Sequence, residues 1–104
     1  MSDPTIPVFA NLSEPEWESV KQRFPIVTVV TGRVVSTAPF GIFLDFGAGV
    51  LGIIEIVTLR LSPDARSLPP DRHTWPKQGE LASGRVIGFR EHNRQVGLEW
   101  LLAN

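Results

Sequence analysis

Apolar and polar positions change period along the chain, and each change marks an element. Over residues 12–25, Trp17, Val20 and Phe24 recur at helical spacing with polar residues between them. Ser13 is placed to cap this segment, Glu16 to complete a capping box three residues on, and Leu12 to staple onto Trp17. Pro15 falls in the first turn, where its missing N–H has no helical partner to lose. Acidic residues lead and Lys21 and Arg23 follow, in the sense the helix dipole favours, and Pro25 ends the element. The pattern predicts a short amphipathic helix.

From Ile26 the period shortens and β-branched residues take over. Residues 26–35 predict a long first strand, in which Gly32 marks a bulge or bend. Residues 40–46 predict a second, with Ile42, Leu44 and Phe46 facing the core and Phe43 and Asp45 facing out. Gly47-Ala48-Gly49 turns the chain into a third strand over 50–56. Residues 81–89 and 95–101 predict a fourth and a fifth, joined by Glu91-His92-Asn93.

The pieces outside this alternation are read by composition. Residues 1–11, with Pro4 and Pro7 and no period, read as a mobile tail. Residues 58–79 form a long loop with four prolines, and a short helical turn is expected near 57–61. Trp75 either contacts a ligand or, the commoner fate, plugs this loop onto the core. Trp100, Leu101 and Leu102 are expected to pack on the Trp17 helix.

Five strands, an early bend, a long connector after the third and a final hairpin describe an all-β fold. It is a five-stranded OB-type Greek-key barrel with a short N-terminal amphipathic helix. The chain divides into a tail over 1–11, a leading helix over 12–25 and a barrel over 26–104.

Composition narrows the chemistry. The 104 residues make one domain, and the absence of cysteine excludes disulfides and thiolate catalysis. His73 and His92 are too few to hold a metal, so neither metal nor cofactor is expected. No apolar run approaches a membrane span, and the cytoplasm is the default. Gly47-Ala48-Gly49-Val50-Leu51-Gly52 satisfies a dinucleotide fingerprint, but it runs into a strand and not a helix, which excludes that reading. The net charge of -1 does not announce a nucleic-acid partner. Its distribution says more: residues 60–94 carry seven basic residues against four acidic, an excess of three. That half presents either a modest positive face or a mixed solvated one.

Gly32-Arg33-Val34, Pro39-Phe40-Gly41-Ile42-Phe43-Leu44, Gly52-Ile53-Ile54, Gly79-Glu80, Gly84-Arg85-Val86 and Arg94-Gln95-Val96-Gly97-Leu98 follow one another over residues 27–98. In this order and spacing they resemble the RNA-binding domain of the ribosomal protein S-one type, which a tryptophan-bearing helix often precedes. The resemblance implies single-stranded RNA as partner, bound on the face of the second and third strands. It implies that Phe40 and Phe43 stack on bases and that Arg94 is the basic residue of the last hairpin. Arg85, Glu55 and Arg90 complete the candidate site. The family often has a histidine at the position of Glu55 and an acidic residue at that of Arg90, so both are changed here. A pairing of Glu55 with Arg90 across the face is expected to follow from this exchange.

A buried ring is the commoner fate of a phenylalanine, whereas exposed rings stack on bases for about 1–3 kcal/mol each. Three functions are therefore weighed. The first is a non-catalytic binder of single-stranded RNA in translation or RNA metabolism. The second is a module docking onto a ribosomal or RNA-processing protein, which the near-neutral charge and Glu55 favour. An enzyme comes third, because no acidic pair and no nucleophile beside a histidine is evident.

Overall fold

The computed structural model describes residues 12–56 and 62–102. The tail expected over 1–11 and the helical turn expected near 57–61 lie outside these residues. The elements are α1 (Glu14–Arg23), β1 (Val29–Ala38), β2 (Gly41–Asp45), β3 (Leu51–Glu55), β4 (Ala65–Arg66), a 3-10 turn (Arg72–Thr74), β5 (Leu81–Arg90) and β6 (Gln95–Leu101). No helix of the described residues is long and apolar enough to cross a membrane.

The capping box of α1 is formed in both directions. Ser13 Oγ accepts from the Glu16 amide at 3.3 Å, and the Glu16 carboxylate accepts from the Ser13 amide at 3.0 Å. Trp17 and Val20 are buried in the main core, and Phe24 meets Phe46 edge-on with centroids 5.1 Å apart. Trp17 also meets Phe89 of β5 edge-on at 6.1 Å, so the helix lies against the last hairpin.

The strands close into a barrel. β1 pairs antiparallel with β2 and with β5, β2 with β3, and β5 with β6, while the parallel pair β3–β6 shuts the ring. β1 serves two neighbours because it changes partner midway. Val29 to Arg33 pair with β5, and Arg33 to Ala38 with β2. Gly32 stands at this crossing, where a Cβ would collide with the Asp45 carbonyl oxygen. The bulge itself falls later, between Val34 and Ser36. Gly32 is therefore a point of close approach, and the extra residue that curls the strand is Val35.

β1 begins three residues later than the apolar pattern predicts. Val27 turns the chain with φ 74°, a left-handed conformation that a β-branched residue rarely adopts, and Thr28 donates from both its amide and its hydroxyl to the Pro25 carbonyl. The run of β-branched residues thus begins in a turn.

Val30, Val34, Ile42, Leu44, Val50, Ile54, Val86, Val96 and Leu98 make the interior, and Leu68 and Trp75 of the long loop join the same cluster. Trp75 donates its indole N–H to the Pro69 carbonyl at 2.6 Å, so the ring plugs the loop onto the core. The loop also contributes β4, a two-residue strand on the far edge of β6 that its polar, proline-rich sequence does not announce. Trp100 packs against the core and Leu101 is buried, whereas Leu102 is exposed.

Candidate nucleic-acid interface

Phe40 and Phe43 stand at the β1–β2 corner, where Ala38 pairs with Gly41. The corner is tight: a Cβ on Gly41 would collide with the Ile54 carbonyl oxygen across β3. The two rings lie edge-to-face with centroids 5.9 Å apart, but their exposures differ sharply. Phe40 is 42% exposed and Phe43 only 2%.

This corrects the reading of Phe43 as an outward stacking ring. Alternation places it on the outer face, opposite Ile42 and Leu44. That face, however, carries a second apolar cluster of Ala38, Phe43, Leu51 and Ile53, with Val35 packed beside it. Phe43 is paired in register with Ile53 on one side and with Ser36 on the other, and these neighbours take it out of water. Of the two rings of the corner, Phe40 offers a face to solvent and Phe43 does not.

The arginines of the candidate site are held by carboxylates of the same chain. Arg90 of β5 forms an ion pair with Glu55 of β3, the pair expected from the exchange at these two positions. Arg94, at φ 52° in the last turn, donates to the Leu12 carbonyl and, at 2.9 Å, to Glu14. It therefore ties the start of the helix to the barrel.

Arg85 grips Asp64 through two nitrogens at 2.9 and 3.0 Å and reaches Glu99 of β6 at 3.2 Å. Glu99 is fully buried and is paired with Arg85 across the β5–β6 ladder. The Arg85 guanidinium holds the Asp64 carboxyl below the usual carboxylate range, and Asp64 raises the Arg85 pKa in return. A fork-to-fork contact of this kind fixes orientation as well as charge, here the orientation of the long loop on the barrel.

Arg85, Arg90 and Arg94 thus serve the fold first. Sequence gives the partner of Arg90 but not those of Arg85 and Arg94, because Asp64, Glu99 and Glu14 come from other elements.

No protein-family model matches the chain. Among curated proteins it is 28% identical over 85 residues to the small ribosomal subunit protein bS1 of Staphylococcus haemolyticus, covering 79% of this chain and 20% of that protein. It is 28% identical over 87 residues to a 4-hydroxy-3-methylbut-2-enyl diphosphate reductase of Clostridium acetobutylicum, covering 84% of this chain and 13% of that one. The chain therefore spans a fifth or less of either relative. Among solved structures, one chain of the a/eIF2alpha-aDim2p-rRNA complex of Pyrococcus horikoshii superposes with a TM-score of 0.54 at 19% identity. The match covers 73% of this chain and 44% of that one. Sequence order, closed barrel and relatives agree on an OB-type barrel that is similar to a domain of the ribosomal protein S-one type.

Proposed function

We propose that the chain is a non-catalytic binder of single-stranded RNA acting in translation or RNA metabolism. The observation that carries this reading is Phe40, an exposed ring on a tight corner, backed edge-on by the buried Phe43 and so held at fixed orientation. A base stacking on such a ring loses little freedom to the protein, and the contact is tolerant of sequence. The likeness to a ribosomal protein and to a chain solved in a complex with rRNA supports the same partner.

The test is an amide chemical-shift titration with a ten-nucleotide uridine oligomer at low salt. Shifts centred on the β1–β2 corner are expected, and Phe40→Ala should weaken binding by about 1–3 kcal/mol. A titration that leaves the corner resonances unmoved defeats the proposal.

One observation favours a second reading, a module that docks onto a ribosomal or RNA-processing protein. Arg85, Arg90 and Arg94 are neutralised by their own carboxylates, while Ile26, Val27 and Val29 stand exposed in sequence order. A protein partner retained after nuclease treatment, and lost on Val27→Asp, would favour this second reading over RNA.

A further inference from the structure

The long loop leaves a cavity of about 420 Å³ against the end of β1, lined by Thr37, Arg72, His73, Trp75, Lys77 and Gln78. Small-ligand sites begin at about 300 Å³, so the space accommodates a nucleotide unit.

Its walls are built. Asp71 caps the 3-10 turn, its carboxylate accepting from the His73 amide at 3.0 Å and its carbonyl from the Thr74 hydroxyl at 2.7 Å. Trp75 is fixed by its bond to Pro69, and the Arg72 guanidinium lies 5.7 Å from the centre of the Trp75 ring. Lys77 Nζ donates to the His73 carbonyl at 3.3 Å.

These two cations differ from Lys21 of the helix and from the arginines of the last hairpin. Lys21, Arg85, Arg90 and Arg94 each carry a carboxylate partner. Among the described residues, Arg72 and Lys77 make no ion pair and are held instead by a ring face and a backbone carbonyl. The nearby carboxylates of Asp71 and Glu80 are turned to the His73 and Lys77 amides. Cations in a concavity whose side chains are not ion-paired suit an anion with several acceptor oxygens. Thr37, on the cavity wall, lies near the end of β1, three residues before Phe40 in the chain.

We infer that this cavity is a phosphodiester site, which receives the backbone of an RNA strand continuing from a base stacked on Phe40. Arg72 and Lys77 contact its phosphates, and Thr37 and Gln78 supply hydrogen bonds. The inference rests on the RNA reading above and moves the electrostatic part of binding from the last hairpin to the long loop.

The experiment follows the uridine decamer by amide shifts and by salt dependence, in the native chain, in Arg72→Gln/Lys77→Gln and in Arg66→Gln. Arg66 is an exposed loop cation away from the cavity and serves as control. In the native chain, resonances of 72–78 should move together with those of the corner. The double variant should lose roughly tenfold or more in affinity at about 50 mM salt, and its log-log salt slope should flatten by about 0.7 for each phosphate that is no longer neutralised. Arg66→Gln should behave as the native chain. Shifts confined to the corner, with the double variant matching Arg66→Gln, overturn the cavity and leave the RNA reading standing. Absence of shifts anywhere overturns both. The native-chain shifts decide the matter even if the double variant fails to fold.

Discussion

Glu91, in the turn between β5 and β6, accepts a hydrogen bond from the Trp17 indole N–H at 2.8 Å, across 74 positions of sequence. The same carboxylate meets Lys21 at 3.0 Å, one helical turn along α1. One acidic residue of a turn thus docks the leading helix by holding the polar edge of its largest buried ring. Trp17→Ala should destabilise the domain by about 3–5 kcal/mol, read from denaturant midpoints, because Trp17 is buried in the main core.

The docking should depend on pH with a defined sign. The Trp17 hydrogen bond and Lys21 hold the Glu91 carboxyl below its ordinary range, and Arg85 does the same for Asp64. A depressed carboxyl stabilises the folded state above its unfolded value, about 4, and loses that contribution as pH falls through the folded value. The Trp17 indole N–H resonance should therefore shift on acidification below about pH 4. Glu91→Gln should abolish that titration; an unchanged one would mean that another group reports there.

The two rings of the corner should separate stability from binding. Phe43→Ala removes a buried ring and should cost about 3–5 kcal/mol of stability. Phe40→Ala, at an exposed position, should leave the thermal midpoint nearly unchanged while weakening the uridine oligomer. Thermal melts beside the titration distinguish the two, and equal stability losses would contradict the assignment of Phe40 as the free ring.

Val27 offers a relief of strain. It is 65% exposed, so little packing is forfeited on substitution, and its φ of 74° suits glycine. Val27→Gly should leave stability unchanged or raise it by up to about 1 kcal/mol in urea denaturation.

Glu55→Gln tests the changed rim. Removing the carboxylate frees Arg90 and removes a charge that repels phosphate, so affinity for the oligomer should rise and its salt dependence should steepen. Stability should move by less than about 1 kcal/mol, since the pair is partly exposed.

Much of the barrel is legible in the chain because its signals are local. Ser13 and Glu16 announce the capping box, and Ile42 and Leu44 the inward face of β2. The site is less legible because exposure is not local. Alternation puts Phe43 on the correct face, yet only the assembled sheet shows Ile53 and Leu51 closing around it. The partners of Arg85 and Arg94 lie 21 and 80 residues away and leave no spacing to read. Arg72 and Lys77 are hidden for a different reason, since a proline-rich loop carries no periodicity and its cavity exists only where it folds onto Thr37.

The parallel pairing of Gly52, Ile53 and Ile54 with Val96, Gly97 and Leu98 also sets the order of assembly. A chain emerging from the ribosome can form the β1–β2–β3 meander early, but β3 keeps an unpaired edge until Leu98 is free. Folding should then be limited by a contact that spans more than forty residues, slow by the standards of locally connected domains. During that interval the apolar strands of the meander are exposed to aggregation, and binding that needs the finished barrel begins only with the last strand in place.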